Sequence, residues 1–356
     1  MDRREFLKST AAAAAGVTTA TAAAETALAA PALSQGRQQL RFAMPWADAA
    51  AGPADQAHRL CQRIAQATGG RLSVVPNFEV ADGLAAVRAG EADLYFASAH
   101  DHVDAHRGFA YFAGLPGDRG LSPQHLQTWI SLGGGQALWD ELAGDLGIKP
   151  LLAAHTGARS YLLANARIDT MAALAGRKAY VAGLARDVAR GLGLEPVSIA
   201  PRQLAGALQR GEILAAECGG AITGFALGIH TAAPYWSGTS IHRNGTALSL
   251  AIRRDLWERL PDSDQAALTA ATAAEYQLSL AEEEAHRLML FPDPTADRTW
   301  PLAAELLHAI RRVADAVVAH AAGADGQTRR INDSYAAFQH SVPALSTDAP
   351  WSSAAG

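Results

Sequence analysis

The stretch His100-Asp101-His102-Val103-Asp104-Ala105-His106 places three imidazoles and two carboxylates within seven residues. Such a set could ligate zinc or another divalent cation, because imidazole nitrogens and carboxylate oxygens suit borderline and hard metals alike. A merely solvated loop is the plainer reading, and spacing alone leaves both open for His100, His102 and His106. A second stretch, Tyr235-Trp236-Ser237-Gly238, is followed by His242-Arg243-Asn244-Gly245. Trp236 either covers a ligand or packs between domains, and His242 and Arg243 are candidate rim residues. Common catalytic signatures are missing: no G-x-S-x-G elbow, no H-E-x-x-H, no glycine-rich phosphate loop and no C-x-x-C. Dispersed Ser, His and Asp residues still leave a triad open, so an exported enzyme stays a rival reading. Cys61 and Cys218 are too few for a disulfide scaffold or a four-cysteine zinc site.

The elements that must position these residues alternate. Leu40–Pro45 reads as a strand, residues 53–68 as a helix stopped by Gly69-Gly70, Leu72–Val75 as a strand, 83–89 as a short helix and 93–97 as a strand. That βαβαβ order predicts a parallel sheet with helices on its faces. Residues 122–142 read as helix interrupted by Gly133-Gly134-Gly135. The pattern then restarts, with strands expected at 151–154, 161–165, 179–182, 197–200, 213–216 and 247–252, and helices at 184–192, 202–210 and 255–260. A long helix over 262–290 follows Pro261, with Asp262 or Ser263 available to cap it. Two more helices, near 302–321 and 327–339, close the chain. Trp129 and Trp139 fall at helical spacing and read as core.

Composition limits the function. The chain has 356 residues, 49% of them hydrophobic, which allows two domains with real cores and excludes a disordered chain. A formal charge of −5 argues against a nucleic-acid partner. The first thirty residues read as an export leader. Arg3-Arg4 with Phe6-Leu7-Lys8 resembles a twin-arginine signal, an Ala-rich run follows, and Ala27-Leu28-Ala29 offers a cleavage site near Ala29. No later stretch approaches the roughly 20 apolar residues of a membrane span. The expected location is therefore the periplasm.

Several pieces taken together carry a resemblance. They are Ile64-Ala65-Gln66-Ala67-Thr68-Gly69-Gly70-Arg71-Leu72, Gly133-Gly134-Gly135-Gln136-Ala137-Leu138-Trp139-Asp140-Glu141 and Leu174-Ala175-Gly176-Arg177-Lys178. Further along stand Leu208-Gln209-Arg210-Gly211-Glu212-Ile213-Leu214-Ala215-Ala216-Glu217, Trp257-Glu258-Arg259-Leu260-Pro261 and Asp333-Ser334-Tyr335-Ala336-Ala337-Phe338. In this order they resemble the substrate-binding proteins of TRAP transporters, DctP type, over about residues 40–342. The resemblance implies an α/β fold of two lobes with mixed sheets, crossing strands and a long domain-spanning helix. It divides the chain into an export signal at 1–30, lobe I at 38–154 plus about 246–260, lobe II at 155–245, the spanning and C-terminal helices at 261–342 and a tail at 343–356. It implies a small organic acid in the interlobe cleft, delivered to TRAP permease subunits, with no enzymatic step and no cofactor. A homodimer through the long helices is left open, as is a sensory receptor of the same fold.

The resemblance also implies site residues. The family's carboxylate-binding arginine falls in a Lys-x-Arg motif, and here Lys178-Ala179-Tyr180 puts a phenol in its place. A glutamine expected in the preceding strand is matched within Gly157-Ala158-Arg159, so Arg159 is expected to supply the carboxylate contact and Tyr180 a supporting hydroxyl; the alternative makes Arg159 a structural partner of Glu217. Glu217 and Cys218 stand where relatives have Glu-Trp; the small Cys218 either widens the pocket or fills core space. His100 and His102 occupy the place of pocket aromatics. The loss of the usual arginine leaves a neutral polar ligand as the alternative to a carboxylate.

Overall fold

The computed structural model describes residues 36–48, 50–290 and 298–342. The export-leader and tail assignments lie outside the described residues. Among the described residues, ten strands form two mixed sheets. β1 (Gln38–Ala43), β2 (Leu72–Asn77), β3 (Leu94–Ser98) and β4 (Ile148–His155) belong to the first, with β5 (Tyr161–Ala164), β6 (Lys178–Tyr180), β7 (Glu195–Pro196), β8 (Ala215–Cys218) and β9 (Tyr235–Ser237) in the second. β10 (Ala247–Arg253) returns to the first sheet. The orders are β2-β1-β3-β10-β4 and β7-β6-β8-β5-β9.

The expected parallel unit is present, since β2, β1 and β3 pair in parallel, while β10 inserts antiparallel between β3 and β4. Helices cover both faces because the central strands are apolar on both sides. On one face Leu40, Phe42, Phe96 and Leu250 meet Leu60 and Ile64 from the helix Pro53–Ala67. On the other, Phe112 stacks between Trp129 and Trp139, with ring centroids at 5.2 and 4.8 Å. Both tryptophans are fully buried, as their helical spacing predicts.

Two expectations for the second sheet need correcting. Residues 197–200 are not a strand; pairing stops at Pro196, and Val197 keeps only one backbone bond, to Ala179. A short edge strand with proline at its end cannot continue a ladder. β9, three residues long, was not anticipated.

The long helix Asp262–Leu290 starts and stops where its sequence pattern does. Its 29 residues run about 44 Å. Near its start Arg71 binds Asp264 at 2.5 Å, and mid-way Arg59 bridges Glu275 and Glu282, each at 2.7 Å. Further on, Glu283 accepts from the backbone amides of Ala221 and Ile222, which lie beside the second sheet. One helix therefore braces both sheets. Two crossing segments also join them, where Thr156 N donates to Thr246 O at 3.0 Å and Thr246 N returns a bond to Thr156 Oγ1 at 2.8 Å.

Candidate functional site

Past their last paired residues, β1 and β3 run into Met44–Trp46 and His100–Asp104, and β6 runs into Val181–Gly183. These ends enclose a cavity of about 400 Å³. Carboxyl ends of strands leave such space because successive connections turn away to opposite faces there. One wall carries Tyr95, Phe96, His100, Asp101 and His102; the other carries Tyr180, Val181, Gly183 and Arg186.

His100 is set by a short turn that Ser98 caps, accepting from the His100 amide at 3.2 Å. Its ring is buried, and neither nitrogen has a hydrogen-bond partner among the described residues. It lies against Gly183 so closely that a Cβ there would sit 2.1 Å from Nδ1. Burial, then the charges of His242 and Arg186, push His100 well below the usual imidazole range, so it stands neutral. His102 also lines the cavity and meets the Tyr95 hydroxyl at 2.7 Å; burial lowers it to about 4. His106 turns elsewhere, its Nδ1 accepting from Gly108 and its Nε2 lying 3.4 Å from Asp325. The three imidazoles thus do not converge, and among the described residues no group of three or more His, Cys, Asp or Glu could hold a metal ion.

The charged lining is mostly acidic. Asp82, Asp101 and Asp104 face the cavity against a single guanidinium, Arg186. Asp82 caps a helix by accepting from the Ala85 amide at 2.9 Å. Asp104 pairs with Arg186 Nη2 at 2.6 Å. Asp101 lines the cavity and is exposed. Desolvation by the surrounding cavity wall first, and the Asp82 charge second, raise its carboxyl to about 6, while Arg186 opposes the rise. Tyr180 is pushed up to about 12 by burial, with Asp101 adding to it.

The remaining expected residues lie outside this cavity. Glu217 is buried and fully engaged. Its Oε1 accepts from Ser240 Oγ at 2.5 Å and from the His242 amide at 2.6 Å, and its Oε2 meets His242 Nδ1 at 2.9 Å. Burial alone would raise its carboxyl; the charge and hydrogen bonds of His242 and the Ser240 hydroxyl outweigh that and hold it below the usual range. Cys218 fills core space beside Tyr161 and Leu163, its thiol pushed up to about 12 by burial. Trp236 packs inside the second sheet's core, donating Nε1 to Ala233 O at 3.1 Å under the guanidinium of Arg298. Arg159 is exposed and lines a separate surface pocket with Gln124, Glu284 and Arg287. It meets neither Tyr180 nor Glu217. In this arrangement Arg159 stands away from the cavity, and it is His242, not Arg159, that holds the Glu217 carboxylate.

Of the sequence candidates, then, His100, His102 and Tyr180 share the cavity, while Arg159, Glu217, Cys218 and Trp236 do not. Asp101 stood inside the noted loop, but only as a ligand of the metal reading. Arg186 and Gly183 were missed. A helix-start arginine after a glycine at a strand end is a weak sequence cue by itself.

The description of bacterial extracellular solute-binding protein, family 7, the DctP family, matches residues 121–318. The chain belongs to the DctP family. Among curated proteins it is similar to a monocarboxylate 2-oxoacid-binding periplasmic protein of Nostoc, 24% identical over 296 residues, 80% of each chain. Solved structures share its two-lobed α/β fold. A TRAP transporter solute-binding protein from Bordetella bronchiseptica, a dimer with calcium and picolinate in one site, superposes with a TM-score of 0.81 at 22% identity, covering 87% of this chain and 94% of that one. A TRAP solute-binding protein from Colwellia psychrerythraea with calcium and pyruvate gives 0.80 at 23% identity, covering 86% and 96%. DctP7 of Bordetella pertussis, which binds pyroglutamic acid, gives 0.72 at 14% identity, covering 84% and 99%. These relatives are binding proteins rather than enzymes. As a DctP-family member, the chain is of an extracellular type, and no helix among its described residues is long and apolar enough to cross a membrane.

Proposed function

We propose that this DctP-family protein captures a small organic acid between two lobes and delivers it to the membrane permease of a TRAP-type transporter. Residues 1–30 are read as a twin-arginine leader cut near Ala29, so that capture happens in the periplasm. Lobe I is read as 38–154 with about 246–260, lobe II as 155–245, with the paired crossing segments near Thr156 and Thr246 as the hinge. The observation that carries the reading is the cavity of about 400 Å³ between the strand ends of the two sheets. Its size suits a small metabolite, and its walls belong to two bodies that can part and close. The polar wall of His100, His102 and Tyr180 supports a ligand with several oxygens, and no catalytic step is assigned to it.

The test is a thermal-shift screen of the mature protein against keto, hydroxy, amino and dicarboxylic acids, followed by calorimetry. A ligand at about 100 times its dissociation constant stabilises by about 2.7 kcal/mol. The reading falls if no organic acid moves the melting temperature, or if the pure protein converts one into product. Uptake by proteoliposomes holding the permease subunits, dependent on this protein, tests the delivery step.

A further inference from the structure

The cavity's charge is the wrong sign for a plain anion. Three carboxylates, those of Asp82, Asp101 and Asp104, face one guanidinium. Two of the three are already used, Asp82 at a helix cap and Asp104 by Arg186. Asp101, an exposed residue on the cavity lining, has neither a hydrogen bond nor an ion pair among the described residues. Beside it, buried His100 lines the same cavity with both ring nitrogens unpartnered. A buried polar group without a partner is costly, so such groups persist mainly where a ligand completes them. Arg186 is the opposite case. Its pair with Asp104 involves a carboxylate whose side chain is 71% exposed, a pairing that contributes little and exchanges readily. Arg186 is thus available to a ligand carboxylate, while Asp101, unpaired on the same lining, offers its carboxylate to a cationic or strongly donating group.

We infer that the cleft takes a zwitterion, an organic acid that also carries a protonated amine, with Arg186 on the carboxylate and Asp101 on the ammonium. This rests on the solute-binding reading above and narrows its ligand class. A zwitterion adds no net charge to this acidic lining and pairs its ammonium with Asp101, whereas a keto acid would add one more negative charge. His100, neutral and unpartnered, then has one donor and one acceptor left for the ligand's polar atoms.

The experiment compares acids matched in skeleton: pyruvate, lactate and alanine; 2-oxoglutarate, 2-hydroxyglutarate and glutamate; butanoate and 4-aminobutanoate. Affinities are measured at pH 7.5 on the mature protein and on Asp101→Asn, which keeps shape and removes charge. The expected result is an amino member at least about tenfold tighter than its oxo or unsubstituted counterpart, with that preference lost in Asp101→Asn. Arg186→Gln should weaken all bound members of a series together. An oxo acid that binds as tightly as its amine, or an unchanged preference in Asp101→Asn, overturns the inference and leaves organic-acid capture standing. If no acid of any series binds, both fall. The melting temperature of each variant without ligand confirms that it folds.

Discussion

Two polar regions, each built around a buried side chain, lie close together in this protein and could hardly differ more in how they are completed. Around Glu217, every oxygen finds a donor: Ser240, the His242 amide and the His242 ring. Around the His100 ring, which lies 4.7 Å from the His242 ring, the described residues supply no partner for either nitrogen, and Asp101 beside it is also unpaired among them. The first region behaves as a structural joint, since satisfied polar networks fix one arrangement of the chain. The second has the properties of a receptor surface, because its missing partners must come from elsewhere. Both stand at strand ends after apolar runs, so strand-end position alone does not separate a joint from a site. Completion of hydrogen bonds does.

The sharpest way to break this contrast is to remove the joint. Glu217→Ala strips several donors of their acceptor inside the protein, and breaking such a buried pair costs about 3–5 kcal/mol. Denaturant unfolding should show that loss directly. A loss under 1 kcal/mol would mean that the Glu217 cluster is not a structural joint.

Gly183 tests the open region next. Its φ is 56°, and a Cβ there would meet His100 Nδ1 at 2.1 Å. Gly183→Ala should destabilise by about 1 kcal/mol through backbone strain alone, and more through the contact. Gly134→Ala is the control, since Gly134 has φ 86° and open space around it. Ligand affinity should fall by about tenfold or more in Gly183→Ala and stay unchanged in Gly134→Ala, because only the first keeps the two walls apart. Equal effects of the two on affinity would show that the close approach at Gly183 is unimportant for capture.

Acid should separate the two regions by window. His100 is depressed well below its ordinary 6.5 and His102 to about 4. As pH falls below 6.5 the unfolded chain takes up those protons first, so stability is full above that value and drains below it. Each neutral imidazole contributes a slope of about 1.4 kcal/mol per pH unit. Glu217 is depressed below its ordinary 4.5, so its contribution is present above that value and is lost only as pH falls below it. Asp101 and Glu283, raised to about 6 and 7, act in the opposite sense and soften the total. His100→Asn should therefore flatten the stability curve between pH 6.5 and 5, and Glu217→Gln should not. The same flattening in both variants would erase the distinction.

The difference between these regions also marks how far the amino-acid sequence alone can be read. Regular elements follow local rules, so the long helix beginning after Pro261 and the break at Gly133-Gly134-Gly135 are legible from period and glycine placement. β7 and β9 are short because their neighbours, not their own residues, decide where pairing stops. The site divides the same way. Tyr180 and His100 are named through the family resemblance, and both line the cavity at strand ends. Whether Glu217 is occupied depends on Ser240 and His242, more than twenty residues away, and whether Arg186 reaches the cavity depends on a loop about eighty residues earlier. Those pairings are decided by packing between two sheets, which no single stretch encodes.

Arg159 gives the smallest expected effect and the cleanest check of that lesson. Its place in the chain matches a ligand contact, but it is exposed and lines a pocket with Gln124, Glu284 and Arg287 instead. Arg159→Ala removes a charge with no opening onto the cavity between the sheets. An exposed substitution of this kind falls within about 0.5 kcal/mol in stability, and ligand affinity should stay within about twofold. Calorimetry with the tightest organic acid from the screen decides it. A loss of tenfold or more would mean that the lobes close differently around ligand, bringing Arg159 in and making Glu217's neighbourhood, rather than that of Asp101, the receptor surface.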